Sequence, residues 1–519
     1  WLVTRRLILT HHLEFFGDTF DIANRSVFRM GQHGVFSSES HDPQHNDQRF
    51  STLTLVHISL NAQRKRHSTF AITTIACLVS MMLIDAPTAT AEPCSRRAVP
   101  AGPSLSSQLS SGSNGLSSGA GSSNPPWLNG TPGELPVLKG HTQAIQSLTG
   151  PGSNPRTDRL FDIAGTDLGI AYKDAAGRTM LVFGDTMACD GSAGEWRSNT
   201  IMRTSDNNYT DGVTVEEALT ERGYARQGRA REFIPSLKEP GVEHTVIPTA
   251  GITVNGVQYI DFMSVRSWGR PGEWFTNYAA TVSSTDGENW TVVPGSQRAN
   301  KGPSMPGGGQ YRAGNERIQM SAFVEHDGYI YRFSTPSGRD GSAIVARAPK
   351  AQFPKEDAFE FFDGAGWPAT PTRAATVIDG SVSELSVAWN SYLGKFIALY
   401  IDGNGMVLRT ADSPTGPWSS KRMLVDTATI GDLYGGFILP SNNDHNLYFV
   451  ATTWSNYNVM VMRTNLSELF GVPLLASGDI NPDPVADDGL EVVEVLKPEQ
   501  VAAATADDGV VTEDDVVTR

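Results

Sequence analysis

The feature that most narrows the folds open to this chain is a unit that recurs five times: strand, tight turn, strand, loop, strand. The first spans 166–186, TDLGIAYKDAAGRTMLVFGDT, followed by NTIMRTSD at 199–206. The second is GITVNGVQYIDFMSV, with Asn255-Gly256 as a two-residue hairpin turn, and the third, IQMSAFVEHDGYIYRFSTP, turns at Asp327-Gly328. The fourth is VSELSVAWNSYLGKFIALYIDGNG and the fifth GGFILPSNNDHNLYFVATTW. The third strand tends to end on a basic residue before a turn, as at Arg203, Arg409 and Arg463. Repeats of this kind, with hardly an amphipathic helix between them, predict an all-β chain folded as a five-bladed β-propeller. A β-sandwich with long loops explains the alternation but not the repeated ending. One helical segment is expected, at 215–222.

In a propeller the start of each first strand and the end of each second strand meet at one rim. That rim collects Asp167 and Asp185, Arg266 and Trp268, Ser337 and Arg339, Glu384 and Asp402, and Trp454 with Tyr457. The opposite rim receives only hairpin turns. Asp167 opens the first hairpin and Asp185 closes it, so antiparallel pairing puts both carboxyl groups at the loaded rim. Two such groups suit glycosidic hydrolysis, one protonating the leaving oxygen and one activating water or attacking. An aspartate at a strand end more often just caps a turn; the chemical asymmetry between the rims favours function here. The reading requires both carboxyls to face the open mouth of the ring. Glu384 is a third carboxyl of interest. Trp196, Trp268, Trp274 and Trp454 are stacking candidates for sugar faces, and Asn199, Arg266, Asn277, Arg339 and Tyr457 candidate hydroxyl binders.

The formal charge of -15 is mostly local, because the stretch from Asp479 carries twelve acidic residues against Lys497 and Arg519. The body lacks a basic cluster dense enough to track nucleic acid. Residues 64–91 read as a secretory signal peptide: a basic start, an apolar run shorter than the roughly 18 residues of a span, and Ala89-Thr90-Ala91 as a cleavage site. No membrane span is expected after its removal. Residues 1–63 read as the product of an upstream start; seven of the eleven histidines lie at or before His67, without ligand spacing for a metal. The expected organisation continues with a Ser/Gly/Pro-rich linker at 92–137, the propeller at 138–475 and an acidic tail without structure at 476–519. Of three cysteines, Cys77 falls in the signal peptide, and Cys94 and Cys189 are either one disulfide or two free thiols.

Other chemistries find little support. No Ser-His-Asp triad, zinc-ligand spacing or phosphate-cradling loop can be assembled, and neither metal nor cofactor is expected. The segment SSTDGENW (283–290) is close to the Asp-box turn of sialidases but one residue short.

The ordered series TDLGIAY, VFGDT, EWRSN, WGRPGEWFTNYA, HDGYIYRF, SELSVAWN, VLRTADSPTGPW, LYGGF and YNVMVMR resembles glycoside hydrolase family 183, the endo-D-arabinanases, over about 138–475. With the signal peptide, the chain is expected to be secreted or envelope-associated, and a monomer is expected; the resemblance implies a five-bladed propeller that cleaves internal D-arabinofuranosyl linkages of cell-envelope arabinan. It also implies an inverting mechanism, with Asp185 expected as general acid and Asp167 as the base. A non-catalytic carbohydrate-binding propeller at the envelope is the alternative.

Overall fold

Each recurrent unit forms an antiparallel sheet whose strands follow chain order outward from the axis, and the five sheets are the blades of a β-propeller. The computed structural model describes residues 131–189, 196–440 and 445–471, and the backbone of 491–496. Blade one comprises Gly165–Lys173, Thr179–Met187, Thr200–Thr204, Glu217–Thr220 and Gly223–Ala225. The inner strands of the next four blades are Thr245–Val254, Met320–His326, Ser383–Asn390 and Leu433–Ile438. Each packs against its neighbours, and the last closes the ring on Gly165–Lys173.

The turns form as their residues dictate. Asn255 and Gly256 both have positive φ (52° and 81°), as do Asp327 and Gly328 (47° and 78°), the conformation that a two-residue hairpin needs. In blade one, Asp174 accepts hydrogen bonds from the backbone N–H of Ala176 and Arg178, both at 2.9 Å. The basic residue ending the third strands ties them outward: Arg203 pairs with Glu217 at 2.7 Å, and Arg463 reaches Gln143.

Closure uses both ends of the propeller. The N-terminal strand Thr142–Ser147 pairs with Val459–Asn465 as the outermost strand of blade five, and the Thr142 and Thr464 hydroxyls hydrogen-bond at 2.8 Å. This pairing latches the ring, because strands from the two ends of the propeller share one blade. The apolar core lies between facing blades. Its largest cluster joins blades one, two and five around Phe183, Val182, Phe262 and Val450. Truncating a buried phenylalanine such as Phe183 to alanine costs about 3–5 kcal/mol.

Three expectations are corrected. Residues 215–222 are not helical: Glu217–Thr220 is a strand between Thr200–Thr204 and Gly223–Ala225, because burial of Ala218 and Leu219 there outweighs the helical preference of the Glu-Glu-Ala-Leu run. Structure begins before residue 138, with Leu135–Lys139. Its partner is Glu491–Leu496, so the stretch 476–519 supplies a strand. Cys189 is disulfide-bonded. The proposed signal peptide, the upstream stretch 1–63, Cys94 and the linker up to 130 lie outside the described residues. Among the described residues no helix is long and apolar enough to cross a membrane.

Candidate active site

Asp167 and Asp185 meet where blade one's first hairpin is irregular. Its register runs Gly165↔Met187 and Thr166↔Thr186, then slips on either side of Leu168. Leu168 and Gly169 take positive φ (72° and 94°). A bulge of this kind turns a side chain out of the regular alternation, here beside Asp167. Opposite lies Gly184, where a Cβ would stand 2.4 Å from Asp167 Oδ1. Only glycine at 184 leaves that carboxylate its position.

The two carboxyls have different surroundings. Asp167 Oδ2 accepts a hydrogen bond from the Tyr434 hydroxyl at 3.2 Å, while its buried Oδ1 has no partner among the described residues. Burial pushes the Asp167 pKa well above the usual carboxylate range, and the neighbouring Asp185 charge pushes the same way. Asp185 Oδ1 accepts from Thr245 Oγ1 at 2.6 Å and from Trp196 Nε1 at 3.1 Å. Burial raises its pKa to about 7, against the lowering effect of these two donors. At 8% and 6% exposure the pair forms a buried floor to the site, where the sequence reading required open carboxyls at the rim.

Beside this floor runs a belt of aromatic rings. Trp196 lies 5.6 Å from His244, His244 6.3 Å from Trp268, and Trp268 6.2 Å from Trp274. The Arg339 guanidinium bridges the next gap, 5.7 Å from the Trp274 ring and 5.4 Å from Tyr434. Tyr434 stacks on Trp454 at 4.4 Å and 13°, and Trp454 in turn faces Tyr457 at 6.1 Å. The Tyr457 hydroxyl donates to the Asp185 carbonyl oxygen at 3.2 Å. Arg339 is held by two hydrogen bonds to Glu384 Oε1, at 2.7 and 3.2 Å, and Ser383 donates to Glu384 Oε2 at 2.6 Å. Glu384 and Tyr457 have positive φ (47° and 46°), a strained state for such residues worth about 1–3 kcal/mol each. With Leu168, they put three left-handed non-glycine residues around the floor. Among the described residues no group of three or more His, Cys, Asp or Glu side chains could hold a metal ion.

Residues 152–463 match the model of a family described as a domain of unknown function, DUF4185. The chain belongs to this family. Two fungal proteins are similar to it: the notoamide biosynthesis cluster protein J of Aspergillus sp. (strain MF297-2) and protein J' of Aspergillus versicolor, each 27% identical over 330 residues. The matches cover 59% of this chain and 84% and 85% of those proteins. Among solved structures, an α-L-arabinofuranosidase from Podospora anserina in complex with cellotriose is 14% identical, with a TM-score of 0.37, covering 64% of this chain and 98% of that one. A GH43_1 enzyme from Xanthomonas citri complexed with xylotriose is 14% identical, with a TM-score of 0.36, covering 65% and 91%. Likenesses this distant transfer neither reaction nor residue.

Within this DUF4185 propeller, the floor and belt contain Asp167, Asp185, Trp196, Trp268, Arg339, Glu384, Trp454 and Tyr457. Two expected binding residues are instead saturated by the scaffold. Asn199 donates to the carbonyls of Ile234 and Val246 and accepts from the N–H of Phe233 and Ile234, tying blade one to blade two. Asn277 donates to the Val242 carbonyl and Ser264 Oγ and accepts from Arg266 Nε at 2.8 Å. Arg266 is thereby turned to Asn277 and the 303 carbonyl, so its guanidinium braces the loop after blade two. Asp402 bonds Lys421 at 3.0 Å and its own turn at Asn404. Sequence reasoning missed Tyr434, Thr245, His244 and Lys238. Lys238 donates to the Trp196 carbonyl at 2.6 Å and pairs with Glu232 at 2.9 Å. Tyr434 stood in the quoted LYGGF motif, but only the neighbouring blade shows what its hydroxyl meets.

Proposed function

We propose that this chain is a glycoside hydrolase that cleaves internal D-arabinofuranosyl linkages of cell-envelope arabinan, such as arabinogalactan or lipoarabinomannan, with Asp167 and Asp185 as an acid–base pair. The observation that carries the reading is the pair itself: two buried carboxyls from one hairpin, unequally hydrogen-bonded among aromatic rings. An inverting hydrolase needs one protonated and one ionised carboxyl at the same pH. The environments supply that difference. Asp167, with an unpartnered oxygen, keeps its proton, and Asp185, with two donors on Oδ1, ionises near pH 7.

The roles are therefore opposite to those the sequence suggested. Asp167 protonates the glycosidic oxygen as the anomeric C–O bond breaks. Asp185 takes a proton from the water that attacks the anomeric carbon from the other face. Indole faces at Trp454 and Trp268 suit the C–H faces of sugar rings, and the Arg339–Glu384 pair offers donors and acceptors for hydroxyls. The D-arabinan substrate and the inverting outcome follow the family 183 resemblance. Secretion or envelope association and a monomeric state are part of the same proposal.

The depth of the aspartates favours a second reading, a non-catalytic carbohydrate-binding propeller, because Trp454 is 40% exposed and would meet a sugar first. Asp167→Asn and Asp185→Asn separate the two. Each should abolish oligosaccharide release from purified arabinan while leaving binding nearly intact. A wild-type protein that binds arabinan and releases nothing is a binding module.

A further inference from the structure

Three polar groups of the belt are committed, Trp196 Nε1 to Asp185, the Tyr434 hydroxyl to Asp167 and the Tyr457 hydroxyl to the Asp185 carbonyl, while Trp274 Nε1 is buried without a partner among the described residues. His244 is the one belt residue whose ring can both donate and accept and is bonded at neither nitrogen among the described residues. Its half-buried ring sits between Trp196 at 5.6 Å, tilted by 42°, and Trp268 at 6.3 Å, edge-on at 83°. Among the described residues no hydrogen bond reaches either ring nitrogen, although its backbone N–H bonds the Val265 carbonyl at 2.7 Å. The next residue, Thr245, donates to Asp185 Oδ1, and so does the adjoining Trp196. His244 thus stands one residue and one ring away from the carboxylate.

We propose that His244 is a specificity-determining residue that hydrogen-bonds a furanose hydroxyl on the Asp185 side of the scissile linkage. This rests on the glycosidase reading. Burial lowers the pKa of the imidazole, so near neutral pH it is uncharged, with one nitrogen donating and the other accepting. Two indoles hold the ring plane, so little entropy is lost when a hydroxyl arrives. A site that hydrogen-bonds a hydroxyl also discriminates against a sugar lacking it, because the polar group is then left unpaired.

The test compares His244→Phe, which keeps an aromatic ring between the indoles, with His244→Gln, which restores a donor and an acceptor. Purified D-arabinan is the probe for turnover and for calorimetric binding, and melting temperature is read in parallel. His244→Phe should melt like wild type yet lose about tenfold in kcat/KM and in affinity, the scale of one hydrogen bond at a desolvated site. His244→Gln should recover part of that loss. Wild-type kcat/KM and affinity in His244→Phe overturn the proposal, as does a loss that follows melting temperature and is not eased by glutamine. If wild type binds without cleaving, the affinity arm still decides the role of His244 and only the hydrolytic reading falls. If it neither binds nor cleaves arabinan, both fall.

Discussion

The Tyr434 hydroxyl donates to Asp167 Oδ2 at 3.2 Å while its ring lies flat against Trp454, so one side chain joins the buried carboxyl to an exposed indole. The hydrogen bond favours the ionised form of Asp167. Tyr434→Phe should therefore raise the Asp167 pKa further. The alkaline limb of the kcat/KM profile, where the acid loses its proton, should move to higher pH. A pH–rate series on arabinan checks this, and a limb that stays in place or moves down would remove Asp167 from the acid role.

Trp454 faces solvent on one side and Tyr434 on the other. Trp454→Ala should raise KM for polymeric arabinan by about tenfold, the worth of one stacking platform, with kcat changed less than threefold. Steady-state kinetics on polymer and on short oligosaccharides measure it, and the short substrates should lose less if they can bind elsewhere along the belt.

Gly184 tests the position of Asp167. Its absent Cβ would lie 2.4 Å from Asp167 Oδ1, so Gly184→Ala must displace the carboxylate. Misplacement of about 1 Å costs roughly 100-fold in rate. We expect a kcat loss of that order, with circular dichroism unchanged.

Burial of Asp185 has a stability consequence with a definite sign. Its folded-state pKa of about 7 lies above the ordinary 3.8, so the folded chain holds the proton more tightly than the unfolded one. Stability from this group is fully present below about pH 4 and is lost as pH rises towards 7, by a total on the order of a few kcal/mol. Asp185→Asn carries no such charge. Its melting temperature should exceed that of wild type at pH 8 and match it at pH 4, as read by calorimetry across that range.

Asn199 supplies a structural contrast. Its side chain makes four hydrogen bonds to main-chain groups of residues 233, 234 and 246. Asn199→Ala leaves those groups buried and unpaired, so the fold should lose about 2–4 kcal/mol by chemical denaturation. The residual folded fraction should retain wild-type KM, since no atom of Asn199 is left for substrate.

Much of this molecule was legible along the chain because it is built from local rules. Alternation of apolar residues specified the strands, Asn255-Gly256 and Asp327-Gly328 specified their turns, and repetition specified the number of blades. Hairpin geometry put Asp167 and Asp185 at the same end of the first hairpin, since antiparallel register is a property of neighbours in sequence, but it left their burial undecided. What required the tertiary structure were contacts between segments outside any one hairpin, 35 residues apart for Asn199 and Ile234, 60 for Asp185 and Thr245 and 267 for Asp167 and Tyr434. Tyr434 meets Asp167 only because blade five closes against blade one, and Thr245 meets Asp185 only because blade two stands on the other side. The fates of Asn199 and Asn277 were likewise decided by main-chain groups that no local pattern brings near them. Burial, which raises the affinity of both carboxyls for a proton, is collective: it depends on which surfaces the closed ring removes from water, and no single stretch of sequence contains that information.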